Sequence, residues 1–288
     1  MDFKERLKIA LELGKIRISM PVALSALAGY VLLNGHIGIR GMMLSVGVLF
    51  VSCGSAVINH LQESRTDRLM PRTRNRPLPS GRISKKGALL HAAGYLLAGI
   101  SILALMFPPA AVLISLLTLI WYNLVYTPLK KTTAFAVVPG SLTGALPPLI
   151  GWVAAGGNMM DHQILLVGLF FFIGQIPHFW LLLLMFGDQY ALAGLPSLNK
   201  VFTPVQIRRI SFVWIMTTVA SALLVIGYVF TNSILIFFVL LYVFFLLFSM
   251  VFRFMIQPEF QPLPAFYRLN ILYLIMMISL MIEGLVRN

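Results

Sequence analysis

The chain has 288 residues, 59% of them hydrophobic and only 11% charged, with a mean hydropathy of +0.90; this excludes an ordinary soluble domain and points to a polytopic membrane protein. The formal charge of +13 does not indicate a nucleic-acid partner, because the basic residues lie in short loops between apolar runs. A single cysteine, Cys53, excludes a disulfide framework and a cysteine metal cluster.

Residues 1–17, MDFKERLKIALELGKIR, read as a basic interfacial helix lying on the membrane. No small-residue cleavage site follows the first apolar run, which is therefore expected to be a retained span. Nine apolar segments follow, at about 18–34, 41–62, 86–106, 109–127, 134–155, 163–186, 207–230, 232–252 and 268–286. The expected fold is an all-α membrane protein, nine transmembrane helices in a single polytopic domain over 1–288. Placing the N-terminus in the cytoplasm puts every basic residue except Arg40 and Arg287 on the inside. The long loops, about 63–85, 187–206 and 253–267, are then cytoplasmic, and long loops in compact proteins are usually functional.

The stretch Asn59–Arg82, NHLQESRTDRLMPRTRNRPLPSGR, concentrates the polar chemistry. Asn59, Glu63 and Asp67 recur at i, i+4 and i+8, which on a helix puts three oxygen-bearing side chains on one face, about 6 Å apart along the axis. Such a row suits a hard cation such as Mg²⁺, which takes its remaining oxygens from water or a substrate phosphate. Arg72, Arg74, Arg76 and Arg82 follow and are suited to forked hydrogen bonds with phosphate oxygens. The spacing alone is equally compatible with a polar loop whose acids merely offset its arginines. Further on, YTPLKKTTAFAVVPGSLTGALPPLIGW carries Lys130 and Lys131 as plausible anion contacts, and small residues from Gly140 to Gly144 that allow close helix approach. In GQIPHFWLLLLMFGDQYALAGLPSL, Gln175 and His178 share a helix face, while Asp188 and Tyr190 sit at the membrane exit. A histidine so placed is more often satisfied by a neighbouring helix than committed to a ligand.

Taken together, these motifs resemble the UbiA-type intramembrane prenyltransferases. N-x-x-x-E-x-x-x-D followed by MPRTRNRPLPSGRIS, Asn59 to Ser84, is similar to that family's first signature. Met70–Ser84, GKIRI at Gly14–Ile18, the stretch Leu129–Trp152, QIPHF at Gln175–Phe179 and AGLP at Ala193–Pro196 resemble its protohaem IX farnesyltransferase branch. The resemblance implies Mg²⁺ held by Asn59, Glu63, Asp67 and Asp188. It implies farnesyl diphosphate as donor, with Lys15, Arg17, the arginines of the first signature, Lys130, Lys131 and Tyr190 around the substrates. It implies haem b as acceptor near Gln175 and His178, His178 contacting it as a ligand or through a propionate. It also implies a bacterial or archaeal cytoplasmic membrane as location. Departures from the pattern are Ile16 for a proline, Gln189 for the acid before Tyr190, Gly174 for a tryptophan, Ala136 for an asparagine, and Met185, Phe186 and Gly187 for basic residues. They leave open an aromatic quinone precursor as acceptor. A transporter, the non-enzymatic alternative, would need a midplane site reached from both sides, and the outer half shows no ionisable cluster.

Overall fold

A computed structural model describes residues 2–196, 198, 201–256 and 261–287; parts of the 187–206 and 253–267 loops, Lys200 among them, lie outside the described residues. Helix α1 covers Phe3–Leu13. Nine further helices are each long and apolar enough to cross a membrane: α2 Ile16–Asn34, α3 Gly38–Leu69, α4 Lys85–Met106, α5 Pro109–Leu129, α6 Ala134–Ala154, α7 His162–Leu192, α8 Pro204–Tyr228, α9 Ser233–Met255 and α10 Pro262–Arg287. The all-α, nine-span expectation holds among the described residues. Two boundaries differ in a way that matters: α3 runs on to Leu69 and α7 to Leu192. Glu63, Asp67, Asp188 and Tyr190 therefore stand on helices rather than loops.

Short polar residues set the helix starts. Ser84 accepts from the Gly87 N–H before α4, Asp161 from Gln163 before α7, and Asn232 from Leu235 before α9. Thr203 and Gln206 cap α8 reciprocally, with Pro204 in the first turn. Each cap satisfies a backbone donor that the helix leaves unpaired. Helix α1 buries Ile9 and Leu13 and leaves Phe3, Leu7 and Leu11 exposed, as a helix resting on the bundle and in an interface does.

The core has two halves that share α2 and α6. One gathers α2 and α6 with α3, α4 and α5 around Leu44, Val51, Leu103 and Ile150. The other gathers them with α7 to α10 around Phe170, Leu181, Ile215 and Met276. Where α2 crosses α6 the backbones touch: a Cβ on Gly29 would fall on the Pro148 carbonyl, and one on Gly151 on the Ala26 carbonyl. Small residues permit such dispersion-rich contact where lipid supplies no hydrophobic drive. Gly151→Val is expected to lower the thermal midpoint of detergent-solubilised protein, by overpacking worth roughly 1–3 kcal/mol or more. Gly94→Ala, where an added Cβ meets nothing within 4 Å, should not.

Candidate active site

The site is built at the end of α3 where Asn59, Glu63 and Asp67 line up. All three are buried, at 1%, 5% and 1% exposure, so each charge or dipole must find a partner. Lys15 Nζ donates to Asn59 Oδ1 at 2.6 Å. Lys130 forms an ion pair with Glu63. Arg76 Nη1 donates to Asp67 Oδ2 at 2.8 Å. One cation thus answers each rung of the ladder, from the start of α2, the end of α5 and the turn after α3.

Local backbone explains how these cations arrive. Lys15 adopts a left-handed conformation, φ 45°, which turns the chain sharply between α1 and α2 at an energetic cost that functional sites commonly carry. The turn after α3 folds back under it: the Thr73 hydroxyl donates to the Asp67 carbonyl at 2.8 Å, and Arg76 reaches the carboxylate of the same residue. Arg82 fastens the far end of the turn, donating to Glu12 on α1 and to the Asn75 carbonyl. In α5, Trp121–Tyr126 form a π-helical turn, a distortion frequent at functional sites. It brings Asn123 onto Ser55 at 2.6 Å and Thr127 onto Asn59 Nδ2 at 3.0 Å, while Gln62 Nε2 donates to the Asn123 carbonyl. Ser55, Asn59 and Gln62 of α3 thereby form a polar seam with Asn123 and Thr127 of α5. Sequence reasoning passed over this seam. The i, i+4 pairing of Asn123 with Thr127 inside an apolar span is the signal that could have found it.

The structure brings together Lys15, Asn59, Glu63, Asp67, Arg76 and Lys130, with Tyr190 near enough to act on the Lys130 charge. Arg17 and Arg74 are exposed and show no partner among the described residues. Lys131 caps the Gln62 carbonyl at 3.0 Å. Arg72 lies over the Phe186 ring, 4.7 Å from its centroid. Asp188, expected beside the metal oxygens, is exposed; Gln189 faces the turn instead, accepting from the Arg72 backbone N–H at 3.1 Å. Adjacent helical residues point about 100° apart, so only one of the two can do so. Gln175 packs against Gly144 of α6. His178 Nδ1 lies 2.8 Å from Asn270 Oδ1, the neighbouring-helix partner that is usual for such a histidine. Gly174, in place of a tryptophan, leaves room for Tyr273, whose hydroxyl donates to the Gly174 carbonyl. His60 was also missed: it is buried 3.9 Å from Asp67 Oδ2, and both ring nitrogens lack a hydrogen-bond partner.

The donor set suits a hard divalent ion. Two carboxylates and an amide oxygen share one face, each now neutralised by a cationic side chain in the stead of a metal, and orphaned polar atoms remain on His60 and Gln62. Among the described residues no three His, Cys, Asp or Glu side chains form a metal cage. That agrees with a Mg²⁺ held by one or two carboxylates and completed by phosphate oxygens. The cations set free would then face those phosphates. Burial would pull Lys130 down, but the Glu63 carboxylate more than offsets this and holds it above the usual lysine value. Burial first, then the Arg76 charge, lowers Lys15 from 10.5 to about 7, with Glu63 and Asp67 opposing.

The UbiA prenyltransferase family model matches residues 22–275. A protoheme IX farnesyltransferase of Oleidesulfovibrio alaskensis is 38% identical over 218 residues, covering 76% of this chain and 77% of the relative. One of Geobacter sulfurreducens is 38% identical over 195 residues, covering 67% and 70%. Among solved structures, a UbiA homolog from Aeropyrum pernix superimposes with TM-score 0.73 at 17% identity, covering 94% of this chain and 98% of that one. A UbiA homolog from Archaeoglobus fulgidus bound to GPP and Mg²⁺ gives 0.69 at 18%, covering 96% and 99%. These structures share the fold.

Lys15 yields a pH prediction. Between about pH 7 and 10.5 the unfolded chain holds a proton on this lysine that the folded chain has released, so raising the pH relieves the cost of burying the ammonium. In Mg²⁺-free buffer, the stability of the wild type relative to Lys15→Met should rise across that window and be flat below it, as read from thermal unfolding.

Proposed function

Because the chain belongs to the UbiA prenyltransferase family, and its relatives at 38% identity are protoheme IX farnesyltransferases, we propose that it transfers a farnesyl group from farnesyl diphosphate to a vinyl group of haem b. The observation that carries this reading is the buried ladder of Asn59, Glu63 and Asp67 with one cation on each rung.

Asn59, Glu63 and Asp67 would hold Mg²⁺, which when bound neutralises the diphosphate and favours its departure. Lys15, Arg76 and Lys130, no longer needed on the ladder, bind phosphate oxygens and stabilise the charge that grows on the leaving group. Arg74 is exposed on the same turn and reaches the outer phosphate. The prenyl C–O bond breaks and the electron pair leaves with diphosphate. The vinyl π electrons then form the new C–C bond, and water adds to the resulting cation with loss of a proton, giving the hydroxyethylfarnesyl group of haem O. The apolar bundle lined by Tyr126 and Phe179 excludes water until the acceptor has reacted. The site opens to the cytoplasm, with the N-terminus inside, because all basic residues but Arg40 and Arg287 then lie on that side.

The direct test is purified membranes supplied with haem b, farnesyl diphosphate and Mg²⁺, with mass spectrometry for farnesylated haem; a parallel incubation with an aromatic quinone precursor checks the other acceptor class. Glu63→Gln and Asp67→Asn keep shape but remove charge. Each should reach normal membrane levels while losing roughly 100-fold or more in turnover and in Mg²⁺-dependent diphosphate binding. Acids that only offset nearby arginines at an exposed surface would cost about 0–1 kcal/mol instead, so near-normal turnover removes the metal role of that residue. For orientation, a cysteine placed at Ser80 should resist an impermeant thiol reagent on intact cells, and one at Ser233 should react.

A further inference from the structure

His178 has two nitrogens, and the structure assigns them different work. Nδ1 faces Asn270 Oδ1 at 2.8 Å. An amide oxygen only accepts, so Nδ1 carries the proton, and in a neutral imidazole Nε2 is then a bare lone pair. Tyr273 cannot compete for the ring, since its hydroxyl is spent on the Gly174 carbonyl. Nε2 makes no hydrogen bond, yet it is absent from the sealed, partnerless polar atoms of the described residues, so it faces accessible space. Around the imidazole stand Phe266 at 4.7 Å, Phe179 at 5.6 Å and Tyr273 at 6.3 Å between ring centroids, flat apolar walls suited to a flat ligand. Phe179 in turn packs on Tyr126 at 5.8 Å, next to the Thr127 that holds Asn59. One aromatic pair thus separates His178 from the ladder.

We infer that Asn270 is a positioning residue that holds His178 in the tautomer whose Nε2 ligates the iron of the acceptor porphyrin. The inference rests on the haem-acceptor reading and chooses between the two contacts open to His178. A bare Nε2 has no proton to give a propionate, whereas it has the lone pair that iron takes. A hydrogen bond on the far nitrogen is the arrangement by which proteins fix a ligating histidine's tautomer and orientation.

The test compares binding of ferric haem b and of metal-free protoporphyrin IX to the full-length protein without prenyl diphosphate, together with the Soret spectrum. The wild type should prefer haem and show histidine ligation. His178→Gly should lose both, and added imidazole should restore the ligated spectrum, which separates a missing ligand from a misfolded chain. Asn270→Leu should cost roughly 10–100-fold of the haem preference, while Asn270→Asp, which keeps an acceptor oxygen, should retain it. Equal binding of haem and metal-free porphyrin by the wild type, or an unchanged spectrum in His178→Gly, overturns the ligation and leaves the acceptor reading standing. Wild-type behaviour of Asn270→Leu overturns the positioning role. Failure of the wild type to bind either porphyrin overturns the acceptor reading and this inference with it.

Discussion

Burying two carboxylates at the end of a membrane helix is costly unless each meets a positive charge, and this requirement organises one whole end of the molecule. Glu63 and Asp67 could be satisfied from within α3 only by neighbours that the membrane disfavours. The chain instead imports Lys130 from α5 and Arg76 from the following turn, and Lys15 joins them on Asn59. Buried ion pairs seldom add much net stability, because desolvation absorbs the Coulombic gain. What the pairing accomplishes here is placement. It holds three cations at the points from which they can turn to phosphate once a metal relieves them.

That placement depends on irregular backbone held by regular packing. The left-handed Lys15, the π-helical turn at Trp121–Tyr126 and the turn from Met70 to Ser84 are each departures from plain helix. Each is fastened by a specific bond: Lys15 to Asn59, Asn123 to Ser55, Arg82 to Glu12. The rigid member is the α2–α6 crossing, where Gly29 and Gly151 let two backbones touch. It ties the half bearing the ladder to the half bearing His178.

Much of this was legible in the residues. The i, i+4, i+8 recurrence of Asn59, Glu63 and Asp67 identified a helix face, because helical period is a local property of the chain. Partners were harder to read. Nothing in the order of residues says that Lys130, rather than Lys131, faces Glu63, or that Arg82 is consumed by Glu12. The contrast between Asp188 and Gln189 is sharper still. Charge favoured the acid as the residue turned toward the site, but the rotation of α7 aims the amide at the turn and the acid away from it. Helix rotation is fixed by packing along the whole span, which two adjacent letters do not encode. Asn270 was invisible for a related reason: its importance lies in a partner 92 positions away.

The π-helical turn in α5 carries a consequence for how this chain can change over generations. Such a turn holds one residue more than the regular helix needs. Losing any single residue from Trp121–Tyr126 would shorten the span by little and leave its apolar character intact. It would also let the helix relax to regular winding and swing everything beyond by about 100°, carrying Thr127 and Lys130 off Asn59 and Glu63 at one stroke. Substitutions along α5 can be absorbed one at a time; a one-codon deletion there cannot. Length, more than identity, is what lineages sharing this arrangement must inherit unchanged between the outer end of the span and its lysine.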